Sequence, residues 1–283
     1  MKIIEINDKE YPIRLKEIDN YPKRLYIEGN YELLNKPSIA IVGARNCDSY
    51  GISQTKRFSG FLSQKGICIV SGLAKGIDTV AHQYSKEKMG KTIAVIASGF
   101  NNIYPEENKK LYEEIIEDGG CVVTEWEPDT RVEMYRFPKR NRIISGLSLG
   151  TLVIEARYRS GSEITAHYAM KQNREVFAIP GNIDSLLSKG TNNLINQGAN
   201  LVTSPQDILE ILQFEGIDAN KIKIEPEYKE VYDQIGDIPI SANEISRSAN
   251  KPINEINQTL FMLEVDGFIK KIGMGKYVKA NPN

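Results

Sequence analysis

Four short segments of this 283-residue sequence combine residue types that hold anions or flat rings. The first is Gly43-Ala44-Arg45, directly after the apolar run Ile39–Val42. A glycine there admits close approach to the backbone, and the Arg45 guanidinium suits a two-point phosphate contact. A tight connection would use the same residues, so both readings stay open. The second runs from Ser71 to Asp78, with Gly72, Lys75 and Gly76. Backbone N–H groups of such a loop can cradle an anion at a helix start, with Lys75 adding a point charge. It has neither the spacing of a Walker A loop nor that of G-x-G-x-x-G, and a structural turn is the alternative. The third holds Arg136, Phe137, Lys139, Arg140, Asn141 and Arg142 around Pro138. A solvated charged loop is the ordinary reading of such a run. Phe137 among four cations argues instead for a platform on which a base stacks. The fourth is Arg157-Tyr158-Arg159-Ser160-Gly161-Ser162, where hydroxyls and backbone amides at a helix start form either an anion site or a plain N-cap.

These segments need a scaffold, and the surrounding pattern supplies one. Short apolar strands are expected at Ile39–Val42, Ile67–Val70, Thr92–Ala97, Val122–Glu125, Thr151–Ile154, Val176–Ile179 and Leu201-Val202. Helices are expected between them at Tyr50–Lys65, Ile77–Met89, Asn108–Asp118, Arg142–Leu147 and Ile164–Lys171, and a last one at Pro205–Leu212. Continuous apolar strands alternating with helices predict an α/β fold: a Rossmann-like, doubly wound, mostly parallel sheet covered on both faces. In such a sheet ligands sit beyond the carboxyl ends of the strands, where all four segments fall.

The expected organisation is an irregular lead-in over residues 1–37, a Rossmann-like domain over 38–213, a linker over 214–226 and a small domain over 227–283. That last part reads as helices at Glu227–Ile235, Ser241–Ala249 and Ile253–Val265, then a hairpin turning at Gly273-Met274-Gly275. Ser241 with Glu244 three residues on is a capping-box signature, Pro252 opens the third helix, and Asp266-Gly267 stops it. Three helices followed by a ribbon predict a winged helix-turn-helix.

Composition narrows the function. With 36 Lys plus Arg against 37 Asp plus Glu, the net charge is −1, so any nucleic-acid binding must come from local basic patches. Cys47, Cys68 and Cys121 are odd in number and far apart, which fits a reducing compartment without disulfides. His82 and His167 stand apart from other candidate ligands and read as surface or satisfied helix histidines. No metal and no cofactor is expected. No apolar run reaches the length of a membrane span, and Met1–Tyr11 has no signal-peptide core, so the expected compartment is the cytoplasm.

Taken together, several strings resemble the DprA/Smf family of DNA-processing proteins. They are Ile41–Arg45, Ser71–Asp78 followed by Ala81-His82, Phe137–Ile144, Ser160–Thr165, Val176–Gly181, Gly190-Thr191-Asn192 and Gly198-Ala199. The likeness runs from Tyr11 to Leu212, with the motifs in order. It implies a non-enzymatic, cytoplasmic, homodimeric protein that holds single-stranded DNA and loads the RecA recombinase during natural transformation. It also implies that Arg45, Lys75, Phe137, Arg140, Asn141 and Arg142 form the strand-binding pocket. Two departures from the family pattern stand out. Glu163 occupies a usually apolar position, and the N-terminal helical domain of some members is not expected, while the winged helix is.

Two other classes compete. A phosphoribohydrolase of the LOG, or lysine-decarboxylase-like, type has a related core. Its P-G-G-x-G-T-x-x-E motif laid on Gly161-Ser162 puts Tyr158 and Arg159 at the glycine pair and Thr165 at the catalytic carboxylate. Glu155 and Glu163 are wrongly spaced to replace it. A winged-helix regulator reading duplex DNA is the third class. Against it, Asn254, Glu255, Asn257 and Gln258 give the third helix of that domain a polar face without cations.

Overall fold

In the computed structural model, strands β3 (Ser38–Val42), β4 (Cys68–Ser71), β5 (Thr92–Val95), β6 (Cys121–Thr124) and β7 (Gly150–Val153) bury every residue. β8 (Glu175–Ala178) exposes only its first residue, and β9 (Asn200–Leu201) closes that edge. Strands this apolar on both faces can only sit inside a parallel, helix-covered sheet. Alternate residues point to opposite sides. Ala40, Val42, Val70 and Val123 face Ile143, Ile144, Leu147 and Ala166, while Ile39, Ile41 and Ile69 face Phe58, Leu62, Ile77 and Ala81. Each such aliphatic side chain contributes about 1.5–3 kcal/mol by leaving water. Residues 1–214, 226–236, 239–265, 268–272 and 275–279 are described.

Helices α2 (Ser49–Gln64), α3 (Ile77–Ser85) and α4 (Lys109–Glu117) follow β3, β4 and β5. After β6 come α5 (Arg136–Leu147), then α6 (Gly161–Lys171) after β7, α7 (Lys189–Asn196) after β8 and α8 (Pro205–Ile211) after β9. The strand order is β1-β2-β6-β5-β4-β3-β7-β8-β9, where β1 is Lys2–Glu5 and β2 is Arg24–Gly29. From β3 the chain winds outward through β4, β5 and β6, then crosses back to lay β7 on the other side of β3. The switch point between β3 and β7 opens a crevice at the carboxyl edge. The expected doubly wound, mostly parallel architecture is the observed one.

The structure corrects several element expectations. Residues 1–37 are not an irregular lead-in. β1 and β2 pair antiparallel with each other and β2 antiparallel with β6, so both belong to the sheet, while α1 (Ile13–Lys16) packs on α5. Helix α5 starts at Arg136, not Arg142, so the basic third segment is helical rather than a loop. Its Pro138 falls in the first turn, where a missing N–H costs nothing. Helix α7 was not expected, because Gly190, Thr191, Asn192 and Asn193 read as loop residues. It is held by burial of Thr191 and Leu194.

The chain divides into two compact units, Met1–Ile217 and Asp218–Asn283. The second contains α9 (Pro226–Asp233), α10 (Ala242–Ala249) and α11 (Ile253–Val265). A small antiparallel sheet completes it, ordered β10-β12-β11 from Ile240–Ser241, Lys276–Lys279 and Ile269–Ile272. Ser241 caps α10 and Glu244 bonds back to the Ser241 N–H at 2.8 Å, as the capping-box spacing predicts. Val231, Ile245, Ile256, Leu260 and Leu263 form its core. Almost all of the expected linker lies outside the described residues. So do the stop at Asp266-Gly267 and the turn residues Gly273-Met274.

Candidate nucleic-acid interface

The switch-point crevice is a cavity of about 410 Å³. The loop after β3 supplies Gly43, Arg45 and Asn46, and the loop after β7 supplies Arg157 and Ser160. Helix α5 contributes Phe137, Arg140 and Asn141, and the start of α6 contributes Gly161, Ser162 and Thr165. That volume lies in the range of small-molecule and nucleotide sites.

Phe137 is half-buried at the mouth. The Arg45 guanidinium stands 5.3 Å from its ring centroid, and Tyr104 meets it edge-on at 5.9 Å and 61°. Arg45 itself is exposed, so one cation and one ring are presented together to solvent. Three residues along the helix, Arg140 turns inward and is 4% exposed. Its Nη1 donates to the Val95 carbonyl at 2.6 Å. Burial lowers its pKa to about 10, with nearby Asp78 opposing the shift, so it stays cationic at neutral pH. Asn141 donates to the Gly161 carbonyl at 3.2 Å and ties α5 to the start of α6. There the Ser160 and Ser162 hydroxyls lie 3.0 Å apart beside the cavity. Glu163 is part of this helix start. Its carboxylate accepts from the Ser160 N–H at 3.1 Å and closes the N-terminal turn.

The glycines do a different job from the one their spacing suggests. A Cβ at Gly72 would lie 2.0 Å from Arg140 Nη1, so Gly72 makes room for a guanidinium. Gly76 has φ 76°, and a Cβ there would lie 2.4 Å from the Ala44 and Arg45 carbonyls. It lets the two strand-end loops touch, and the Ile77 N–H donates to Ala44 across that contact at 3.2 Å. Gly43 packs against the Ile77 side chain. The amides expected to cradle an anion are taken up by Asp78, whose Oδ2 accepts from Gly72 at 3.1 Å and Ala74 at 3.4 Å. Burial raises the Asp78 carboxyl above the ordinary range, against the pull of Arg140 and these amides.

The expected site residues therefore separate. Gly43, Arg45, Phe137, Arg140, Asn141, Ser160, Gly161 and Ser162 line the cavity. Ser71 is fully buried and donates to the Ile41 carbonyl at 2.6 Å, a structural role. Gly72 and Lys75 border a small cleft beside the cavity, and Lys75 pairs with Glu107 at 2.6 Å. Arg142 is drawn to the other side of α5. It pairs with Glu125 in a separate cavity that Lys139 and Trp126 share. Arg136 pairs with Glu133 at 2.9 Å and lies over Trp126. Arg159 takes φ 60° and stacks on Tyr158 at 5.3 Å, leaving the lining position to Arg157. Helical periodicity explains the split of the basic run, since residues 137, 140, 141 and 144 share one face and 139 and 142 another.

Asp78, Arg157 and Thr165 line the cavity too, although the sequence segments that contain them gave them no binding role, and Asn46 was not singled out at all. Asp78 had a signal, because an Asp in a first helical turn commonly bonds the preceding loop amides. Arg157 lay in the fourth segment beside Arg159, and the choice between the two is made by the turn. His82 is a fully buried helix histidine with Nδ1 2.7 Å from Thr92 Oγ1, while its Nε2 has no hydrogen-bond partner, so the expected satisfaction holds for one ring nitrogen only. Burial lowers its pKa to about 3. Among the described residues, no group of His, Cys, Asp and Glu is arranged to hold a metal, and no helix is long and apolar enough to cross a membrane.

A doubly wound sheet whose switch-point crevice joins arginines, a ring and a helix N-terminus defines a Rossmann-like domain with its candidate ligand site beyond the carboxyl ends of the strands. Within that class the chain belongs to the DNA recombination-mediator protein A family, whose profile matches residues 2–213. It is 39% identical to Protein Smf of Escherichia coli over 98% of this chain and 77% of that protein. It is 46% identical to DNA processing protein DprA of Streptococcus pneumoniae over 74% of this chain and 73% of that one. The X-ray structure of the pneumococcal DprA superposes with a TM-score of 0.70 and 45% identity, covering 74% of this chain and 73% of that one. A structure of DNA processing protein A from Helicobacter pylori, described for its single-stranded DNA binding mode, gives 0.68 and 29%, covering 76% and 98%.

Proposed function

We propose that this chain is a single-stranded DNA-binding recombination mediator that holds the strand in the switch-point cavity and has no catalytic turnover. The observation that carries the reading is Arg45 standing over the half-buried Phe137 at the mouth of a cavity facing the α6 N-terminus. A phosphate meets a guanidinium and helix-start donors there, and an unpaired base meets a ring face. The Helicobacter pylori relative, described for single-stranded DNA binding, supports the same assignment. In this reading the protein works in the cytoplasm as a homodimer and passes the strand to RecA. The C-terminal unit acts as a winged helix that docks protein rather than reading duplex DNA. Asn254, Glu255, Asn257 and Gln258 on α11 are all exposed and offer no cation to a phosphate.

Against a hydrolase stands the chemistry of the cavity wall. Thr165, at the position where the LOG-type carboxylate would fall, lines the cavity as a hydroxyl. The cavity's own carboxylate, Asp78, is occupied by two loop amides. Titrating fluorescent single-stranded and duplex oligonucleotides with the full chain tests the binding half, and clear preference for the single strand is the expected result. Incubation with nucleoside monophosphates, ATP and DNA, with and without magnesium, tests the other half. Sustained product formation lost on Thr165→Ala or Asp78→Asn would overturn the non-enzymatic reading.

A further inference from the structure

The loop after β5 brings a second aromatic to the DNA-facing edge. Tyr104 is 49% exposed, and its ring meets Phe137 edge-on at 5.9 Å. Between the two rings lies a small cleft bordered by Arg45 and Lys75. That cleft shares Arg45, Ala74 and Phe137 with the main cavity. It shares Lys75, Tyr104 and Pro105 with an open depression over residues 100–107 and Lys109. The small cleft thus has lining residues in common with the cavity on one side and the depression on the other.

The loop is anchored at both ends. Asn102 Nδ2 donates to the Asp129 carbonyl at 3.0 Å. Asn108 Nδ2 donates to the Leu73 carbonyl at 2.8 Å and to Thr79 Oγ1 at 2.9 Å. Tyr104 is thus held against the Lys75 loop with much of its ring in solvent. Lys75 is turned toward Glu107, 2.6 Å away, and both side chains are more than half exposed.

We propose that Tyr104 is a second base platform, and that Glu107 occupies Lys75 until a phosphate displaces it. The pair makes a subsite for the nucleotide next to the one stacked on Phe137. The 61° angle between the rings excludes one base lying flat on both, so each ring takes its own base and the backbone turns between Arg45 and Lys75. The inference rests on the single-strand reading above. Its electrostatic consequence has a definite sign. In the native chain a phosphate exchanges for the Glu107 carboxylate, and Lys75 adds little to counterion release. Without that carboxylate, Lys75 releases a counterion of its own on binding, which steepens the log affinity–log salt slope by about 0.7.

Fluorescent oligothymidylate binding and thermal melting of the full chain, run on variants, test this. Tyr104→Leu keeps apolar bulk against Phe137 but offers no flat ring. It should lose on the order of tenfold or more in affinity with an unchanged melting temperature, while Tyr104→Phe stays near wild type. Glu107→Gln should bind several-fold tighter with the steeper slope. The neighbouring Glu106→Gln, which removes the same charge, should show neither effect, and Lys75→Ala should abolish the Glu107→Gln gain. If Phe137→Ala weakens binding but Tyr104→Leu does not, or if Glu106→Gln matches Glu107→Gln, the subsite is wrong and the main cavity stands. If neither ring matters and single strands are not preferred over duplex, the single-strand reading falls with it.

Discussion

The two sides of helix α5 use the same residue types to opposite ends. On one side Phe137, Arg140 and Asn141 line the switch-point cavity. On the other, Lys139 and Arg142 line a second cavity with Glu125 and Trp126. There the cations are already matched: Arg142 by Glu125, and Lys139 by the Tyr135 ring at 5.1 Å. On the first side the mouth cation, Arg45, stands over a ring, and among the described residues no carboxylate forms a salt bridge with it. A run of four cations is therefore not one patch. The helix divides it, and local carboxylates decide which half stays available to a ligand.

The largest expected effect comes from the buried cation shared by fold and site. Arg140→Ala removes a guanidinium bonded to Val95 and near the buried Asp78. It should cost about 3–5 kcal/mol in denaturant unfolding and weaken strand binding as well. Arg142→Ala sharpens the comparison. It leaves the largely buried Glu125 carboxyl, already pushed up by burial, without its partner. The expected loss is about 2 kcal/mol of stability with single-strand affinity unchanged. Equal binding losses in the two variants would erase the distinction between the faces.

A smaller effect comes from Glu155, a 2% exposed carboxyl after β7 that lies outside the cavity lining. Burial and the neighbouring Asp48 raise its pKa to about 7. The folded value lies above the unfolded one, so this contribution to stability is complete in acid and is lost as pH rises from about 4.5 through 7. Glu155→Gln should flatten that fall, worth ~1–2 kcal/mol at pH 8, and leave binding alone. A binding change in this variant would place Glu155 in the site after all.

Salt dependence gives the smallest and most quantitative comparison. Counting Arg45, Lys75, Arg140 and Arg142 as free phosphate contacts gives a slope of about −3. With Arg142 and Lys75 paired inside the protein, two to three cations remain, counting Arg157, and the slope becomes about −1.4 to −2. Between about 50 and 200 mM salt that is roughly a tenfold loss of affinity rather than fiftyfold.

What was readable in the sequence follows from range. The strands β3 to β8 announce themselves because both faces are buried, leaving continuous apolar runs. The position of Arg45, Phe137 and Ser160–Ser162 beyond strand ends followed from that reading. β1 and β2 could not be read, because β2 is fixed by pairing with β6, far along the chain, and β1 by pairing with β2, rather than by their own pattern. The helical start of α5 was hidden by charge and Pro138, and with it the division of the basic run between two faces. Gly72 and Gly76 looked like a ligand cradle. Only the contacts with Arg140 and the Ala44-Arg45 backbone show that they serve the packing of one loop on another.

The central claim is that Phe137 stacks a base rather than anchoring the fold. Single-strand affinity, duplex affinity and melting temperature of Phe137→Ala, measured beside Arg142→Ala, test it most directly. The expected result for Phe137→Ala is a ten- to hundredfold loss of single-strand affinity, about 1–3 kcal/mol, with little change in melting or duplex binding. Arg142→Ala should show the reverse. A fall of several degrees in the Phe137→Ala melting temperature, with no selective loss of single-strand affinity, would return the ring to the core and contradict the account.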